Sequence, residues 1–119
     1  MSRLADKLAS GERIITGELP VVDSGGLAAV QRVYEPYAEL CDAMNATDNT
    51  AAHAHASNVS VAIALMRLEV EPIMQVVCRD KNRLAIQADI VGAALHGVEN
   101  ICCLTGDDVT APSHPATNG

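Results

Sequence analysis

Residues 71–83 read Glu-Pro-Ile-Met-Gln-Val-Val-Cys-Arg-Asp-Lys-Asn-Arg, an apolar run that ends in a dense polar segment. Pro72 suits the first position of a strand, because it has no N–H to give to a ladder. Residues 73–77 then read as a strand buried on both faces, apolar almost throughout. Gln75 is the exception. It shares a strand face with Val77, while Val76 and Cys78 share the other. An amide in so apolar a strand needs a hydrogen-bonding partner, which suits a ligand-facing position. Asp80 or Asn82 is placed to cap a helix after the strand. Leu84, Ala88, Val91 and Leu95 form the apolar stripe of that helix, and Gly97 is its stop.

The same arrangement recurs along the chain. Thr16-Gly17-Glu18 closes a short strand at residues 13–16, and Asn45-Ala46-Thr47-Asp48 closes one at residues 41–46. Leu104-Thr105-Gly106-Asp107-Asp108 closes a fourth at residues 100–104. Glu18 to Thr47 is 29 positions, Thr47 to Cys78 is 31, and Cys78 to Thr105 is 27. A strand, a loop, a helix and a return loop take roughly 30 residues. Between the strands, Leu27, Val30 and Tyr34 mark one helix, capped by Asp23 or Ser24 and ended by Pro36. Residues 53–68 mark another, with Val59, Ile63 and Met66 inward. A short helix at residues 3–9 leads the chain.

The order β-α-β-α-β-α-β implies parallel strands joined by right-handed crossovers. No G-x-G-x-x-G comes after any strand. Polar residues gather at every strand end, as at a barrel mouth, whereas an open sheet concentrates its site at one switch point. The expected fold is therefore α/β, a partial (β/α)8 TIM barrel of about four βα units. Closure takes eight units and about 250 residues. Residues 1–109 are read as the N-terminal half of such a domain, and residues 110–119 as a disordered tail.

The composition agrees. Of 119 residues, 49% are hydrophobic but only 2% aromatic, so the core must be built from aliphatic side chains and Met. A net charge of −7 argues against nucleic acid or an anionic membrane as partner, since both select basic patches. Neither a secretory signal nor a membrane span is legible, so a cytoplasmic protein is expected. Cys41, Cys78, Cys102 and Cys103 lack a CxxC pattern and are expected to be reduced, buried thiols.

Five groups carry candidate chemistry. Glu18, behind a strand and a glycine, is a general acid if burial raises its pKa, or else a solvated loop carboxylate. Asn45, Thr47 and Asp48 offer an amide, a hydroxyl and a carboxylate to a heteroaromatic ring or a ribose, or else form an Asx-turn. Arg79, Lys81 and Arg83 suit either a phosphate or a solvated face. Gly106 permits a tight turn or close approach of a ligand, and presents Asp107 at the strand end. His53-Ala54-His55 has the HxH spacing of metal-binding strands, but at a helix start the two rings diverge.

Four motifs in order carry a resemblance: T-G-E-L-P at residues 16–20, D-A-M-N-A-T-D-N at 42–49, E-P-I-M-Q-V-V-C-R-D-K-N-R at 71–83, and G-A-A-L-H-G-V-E-N-I-C-C-L-T-G-D-D at 92–108. Over residues 14–108 the chain resembles the N-terminal half of the methylenetetrahydrofolate reductase family. The resemblance implies a TIM-barrel flavoprotein that reduces 5,10-methylenetetrahydrofolate to 5-methyltetrahydrofolate through FAD, with NADH or NADPH as electron donor. Glu18 matches the acid that opens the folate ring. Asp107 matches the Asp that lies near flavin and folate and tunes their electrostatics. Thr47 matches a flavin-contacting hydroxyl, and Gln75 falls where many members carry a flavin-contacting His. Leu104 and Gly106 match backbone beside the isoalloxazine. The sequence departs from the family at Gln75, and the family's segments beyond the fourth strand have no counterpart in it. The implied partners are folate, the nicotinamide cofactor, and either a further copy of the chain or a complementing C-terminal half. The alternatives are a non-catalytic half-barrel serving as a subunit or small-ligand module, and a metal-dependent hydrolase using His53 and His55.

Overall fold

The computed structural model describes residues 2–106. The elements are α1 (Arg3–Ala9), β1 (Thr16–Glu18), α2 (Gly26–Tyr34), β2 (Ala43–Ala46), α3 (Asn58–Arg67), β3 (Pro72–Val77), α4 (Arg83–Leu95) and β4 (Ile101–Leu104). Single 3-10 turns at Glu35–Tyr37 and Thr50–Ala52 come after α2 and β2. The strands form one parallel sheet in the order β1-β2-β3-β4. A sheet that adds each new strand on the same side has no switch point, and this is the order along the wall of a (β/α)8 barrel. The fold is thus α/β, consistent with a partial barrel.

Register explains what each sheet face does. Met44 pairs with Pro72, Ala46 with Met74, and Val76 with Cys103. Met44, Ala46, Met74 and Val76 are buried against Val30 of α2, Ala62 and Leu65 of α3, and Ala93 of α4. Each fully buried aliphatic side chain contributes about 1.5–3 kcal/mol, so this face carries most of the stability. The other face takes the alternate positions. There Glu18 pairs with Asn45, Asn45 with Ile73, and Gln75 with Cys102.

The N-terminal ends of the strands are tied down by α1. Each of the residues just before β2, β3 and β4 is polar, and each binds that helix or its cap. Asp42 pairs with Lys7. The carboxylate of Glu71 accepts the N–H groups of Arg3 (3.0 Å) and Leu4 (2.6 Å). These are helix N–H groups with no partner inside the helix. Ser2 donates its hydroxyl to Asn100 at 2.7 Å and accepts the N–H of Ala5.

Several expectations need correction. β1 begins at Thr16, so Glu18 is its last residue; the register with β2 sets the strand, and Leu19 still donates to the Asn45 carbonyl. The cap position of α2 is Gly25, without a side-chain bond, because Asp23 is engaged elsewhere. α3 begins at Asn58 rather than at residue 53, since Ser57 accepts the Ser60 N–H and starts the helix there. Its buried line is Asn58, Ala62 and Leu65; Val59 and Met66 pack against the core as expected but stay half-buried, and Ile63 is half-buried without joining it. On α4, capped by Asn82 as one of the two expected residues, the stripe Leu84, Ala88, Val91 and Leu95 faces away from the protein. Ile86, Ile90 and Ala93 pack inward instead. The helix is apolar on two sides, so periodicity alone selects either. The four cysteines are free, but Cys78 and Cys103 are exposed and Cys41 and Cys102 only half-buried. Asp107 and the tail at residues 110–119 lie outside the described residues.

Candidate functional site

Four parallel strands deliver their last residues to one end of the sheet. A cavity of about 410 Å³ opens there, lined by Glu18, Asp48, Asn49, Thr50, Gln75, Val77, Arg79, Leu104, Thr105 and Gly106. Glu18 is exposed at the end of β1. Gln75, two strands away, donates its amide toward Glu18 Oε1 at 3.5 Å, the outer limit of a hydrogen bond. Val77 and Leu104, paired in register, give the cavity an apolar wall beside these polar groups.

Gly106 carries φ +88°, in the left-handed region that favours glycine. A Cβ there would lie 2.6 Å from Val77 Cγ1 and 3.0 Å from Arg79 Nη1. The β4 end therefore passes over the β3 end with room for backbone only.

Thr47 comes directly after β2 but does not line this cavity. It borders a small separate hollow with Leu19, Pro20, Asp23 and His55. The structure thus gathers Glu18, Gln75, Leu104 and Gly106 in one cavity and places Thr47 beside it.

Two structural roles, those of Asp48 and Asn58, are not legible in the sequence. Asp48 is 5% exposed and Asn58 1%. Asp48 Oδ2 accepts the Val77 N–H at 2.9 Å and the Asn58 amide at 3.4 Å, and the same amide donates to the Gln75 carbonyl at 2.7 Å. This network fixes the end of β3, and with it the backbone that carries Gln75. A polar residue at the first position of a mostly apolar helix was the one available signal for Asn58. Its partners, 10 and 17 residues away, leave no local pattern.

Arg79 is not a free phosphate ligand. Its fork grips Asp80 through Nε and Nη2, both at 2.7 Å, and Nη2 donates to the Asn49 carbonyl at 3.2 Å. Arg79 beside Asp80 holds that carboxyl below the usual carboxylate range. His55 reaches Asp23 through Nδ1 (3.0 Å) and the Thr50 carbonyl through Nε2 (3.3 Å). It therefore joins the loop after β1 to the loop after β2, and its hydrogen bond, with that of the Ala56 N–H, holds Asp23 low. Among the described residues no group of three or more His, Cys, Asp or Glu is arranged around a common metal position.

A larger hollow of about 580 Å³ lies at the opposite, N-terminal ends of the strands, lined in part by Arg3, Glu69, Glu71, Glu99 and Asn100. Size does not decide between the two. Glu71 is already committed to α1, and parallel α/β folds bind ligands at the carboxyl ends. Nor is any helix among the described residues long and apolar enough to cross a membrane.

A family model described as methylenetetrahydrofolate reductase matches residues 20–118. Neither the curated proteins nor the solved structures contain a match to this chain.

Proposed function

The chain belongs to the methylenetetrahydrofolate reductase family, and we propose that its cavity at the strand ends is the ring-binding part of a flavin site. On this reading the site serves reduction of 5,10-methylenetetrahydrofolate to 5-methyltetrahydrofolate, with FAD as carrier and NADH or NADPH as donor. One observation carries the proposal: Glu18, Gln75, Leu104 and Gly106 line a single cavity.

The residues fit a planar heteroaromatic ring. About 410 Å³ falls within the range of roughly 300–1,000 Å³ usual for such sites. Val77 and Leu104 offer an apolar wall, Gln75 an amide for ring heteroatoms, and Gly106 a backbone with no side chain in the way. Bound there, FAD would supply the hydride transfer from nicotinamide to folate. Glu18 is assigned as the acid that gives its proton to a folate ring nitrogen as the ring opens, a role that requires its carboxyl to be protonated before transfer. The Gln75 amide, in reach of Glu18, orients it. Asp107 is assigned from the resemblance as the carboxylate that disfavours extra negative charge on the reduced ring. Thr47, in the neighbouring hollow, is assigned a peripheral flavin contact. Cytoplasmic one-carbon metabolism is the matching context.

The strand edges support a further element of this reading. β1 and β4 each pair on one side only among the described residues. The chain is proposed to work with a complementing C-terminal half or a further copy of itself. The same edges favour the second reading, a non-catalytic half-barrel module. The visible spectrum separates the two. Purified chain supplied with FAD retains a flavin band on the catalytic reading and remains colourless on the module reading. In the flavin-loaded, barrel-complete form, Glu18→Gln is expected to abolish folate reduction while nicotinamide oxidation continues. Equal loss of both removes the assigned role.

A further inference from the structure

Asp48 is a carboxylate of which the fold uses one oxygen. It is 5% exposed, lies just beyond the end of β2 and lines the strand-end cavity. Both hydrogen bonds that hold it fall on Oδ2, which accepts the Val77 N–H at 2.9 Å and the Asn58 amide at 3.4 Å. Oδ1 has no hydrogen-bond partner among the described residues. Nor is Oδ1 sealed in the core, because every fully enclosed side-chain nitrogen or oxygen among those residues has a partner. The second oxygen therefore opens into the cavity that Asp48 lines.

The structural duty does not call for a carboxylate. One oxygen serves Val77 and Asn58, and the side-chain carbonyl of an asparagine would serve them as well. A buried carboxylate with an oxygen that meets no donor costs free energy that an amide would avoid. Among the described residues no Lys or Arg pairs with Asp48 to offset that cost. A donor arriving from the cavity accounts for the second oxygen.

The surroundings restrict that donor. Val77 gives the N–H that holds Oδ2, and with Leu104 it forms the apolar wall of the cavity. A planar ring lying on the wall brings its polar edge toward Oδ1. The carboxyl group is planar and Oδ2 is held twice, so Oδ1 is fixed in place before a ligand enters. A single oxygen suits a single N–H. Oxidised flavin has one ring N–H, the imide N3–H between two carbonyls. An aminopyrimidinone edge, with two adjacent donors, calls for both oxygens of a carboxylate.

We propose that Asp48 selects the bound ring by its N–H, with Oδ1 accepting the imide N3–H of flavin while Oδ2 stays on Val77 and Asn58. The proposal rests on the flavin reading of the cavity and adds a specificity residue to it.

Fluorescence titration of the full 119-residue chain with lumiflavin and with 3-methyllumiflavin, which lacks that N–H, tests it. The wild type should bind the methylated ring at least about tenfold more weakly, the size of one hydrogen bond to a charged group. Asp48→Asn keeps an oxygen for Val77 and Asn58 and turns an NH2 group into the cavity. This variant should keep the wild-type circular dichroism and bind lumiflavin at least about tenfold more weakly. Methylation should then weaken binding much less than in the wild type, since the bond it removes is already gone. A purely structural role would weaken both rings alike and leave the effect of methylation unchanged. Equal affinity of the wild type for the two rings overturns the proposal, whether or not the variant folds, and leaves the flavin reading standing. So does an effect of methylation equal in both proteins, which would assign it to steric exclusion. Failure of lumiflavin itself to bind the folded wild type removes the flavin reading and this proposal together.

Discussion

At the scale of single residues, two helix ends permit a controlled comparison. Both α3 and α4 end in the same pair of backbone hydrogen bonds. After α3, Val70 donates to Leu65 and Glu69 to Met66; after α4, Val98 donates to Ala93 and Gly97 to Ala94. This is the Schellman arrangement, which puts one residue in the left-handed region. At α4 that residue is Gly97, with φ 92°, but at α3 it is Glu69, with φ 60°. Left-handed backbone costs an L-residue roughly 1–2 kcal/mol, partly offset by the greater chain entropy of glycine. Glu69→Gly should therefore stabilise the protein by about 1 kcal/mol, read as a higher urea midpoint at unchanged slope. An unchanged or lower midpoint would mean that Glu69 makes a favourable contact that offsets the strain. Gly106 is the opposite case. Gly106→Ala adds a Cβ 2.6 Å from Val77 and should destabilise by at least about 1 kcal/mol while displacing the cavity wall. Asn58→Leu, which preserves volume but leaves the buried Asp48 and the Gln75 carbonyl short of a donor, should cost about 2–3 kcal/mol.

At the scale of elements, α1 holds the N-terminal ends of the strands through polar contacts that depend on pH. Lys7 donates to Asp42, and the Ile15 N–H donates to the same carboxylate, so Asp42 titrates below the usual carboxylate value. A carboxyl whose pKa is depressed in the folded state binds fewer protons there than in the unfolded chain. Its contribution is complete above the unfolded value, near 4, and is lost as pH falls through the folded value. Asp23 and Asp80 are shifted in the same direction. Stability should thus decline below about pH 4. Asp42→Asn should lower the urea midpoint at neutral pH, and its difference from wild type should shrink as acid titrates the carboxylate. A difference independent of pH would assign the effect to packing rather than charge. The elements also mark where sequence reading succeeds. Strand and helix order can be read from alternating apolar runs and turn residues, which are local. The face that α4 buries cannot, because Ile86, Ile90 and Ala93 compete with Leu84, Ala88, Val91 and Leu95 on one helix, and only the position of α3 decides between them.

At the scale of the whole molecule, parallel strands without a switch point bring residues separated by nearly the full chain to one end of the sheet. Glu18 and Gly106, the first and last residues of the cavity, are an example. Most of this convergence was legible, because the interval of roughly 30 residues between polar strand ends places them all on the same side. Thr47 shows the limit of that logic. Spacing locates the end of a strand, but the path of the loop beyond it decides which hollow its side chain borders. Here Asn49, Ala51 and Ala52 all carry positive φ; Asn49 is a residue type that favours that region, but the two alanines give no sign of it. The account's central claim is that the carboxyl ends of the strands form a ring-binding site. Amide chemical-shift mapping of the isotope-labelled chain during titration with lumiflavin, the bare ring system, tests that claim most directly. Shifts are predicted to cluster at Glu18, Gln75, Val77, Leu104 and Gly106. Shifts confined to the opposite hollow, at Glu69, Glu71 and Asn100, or an unperturbed spectrum from a folded chain, would contradict it.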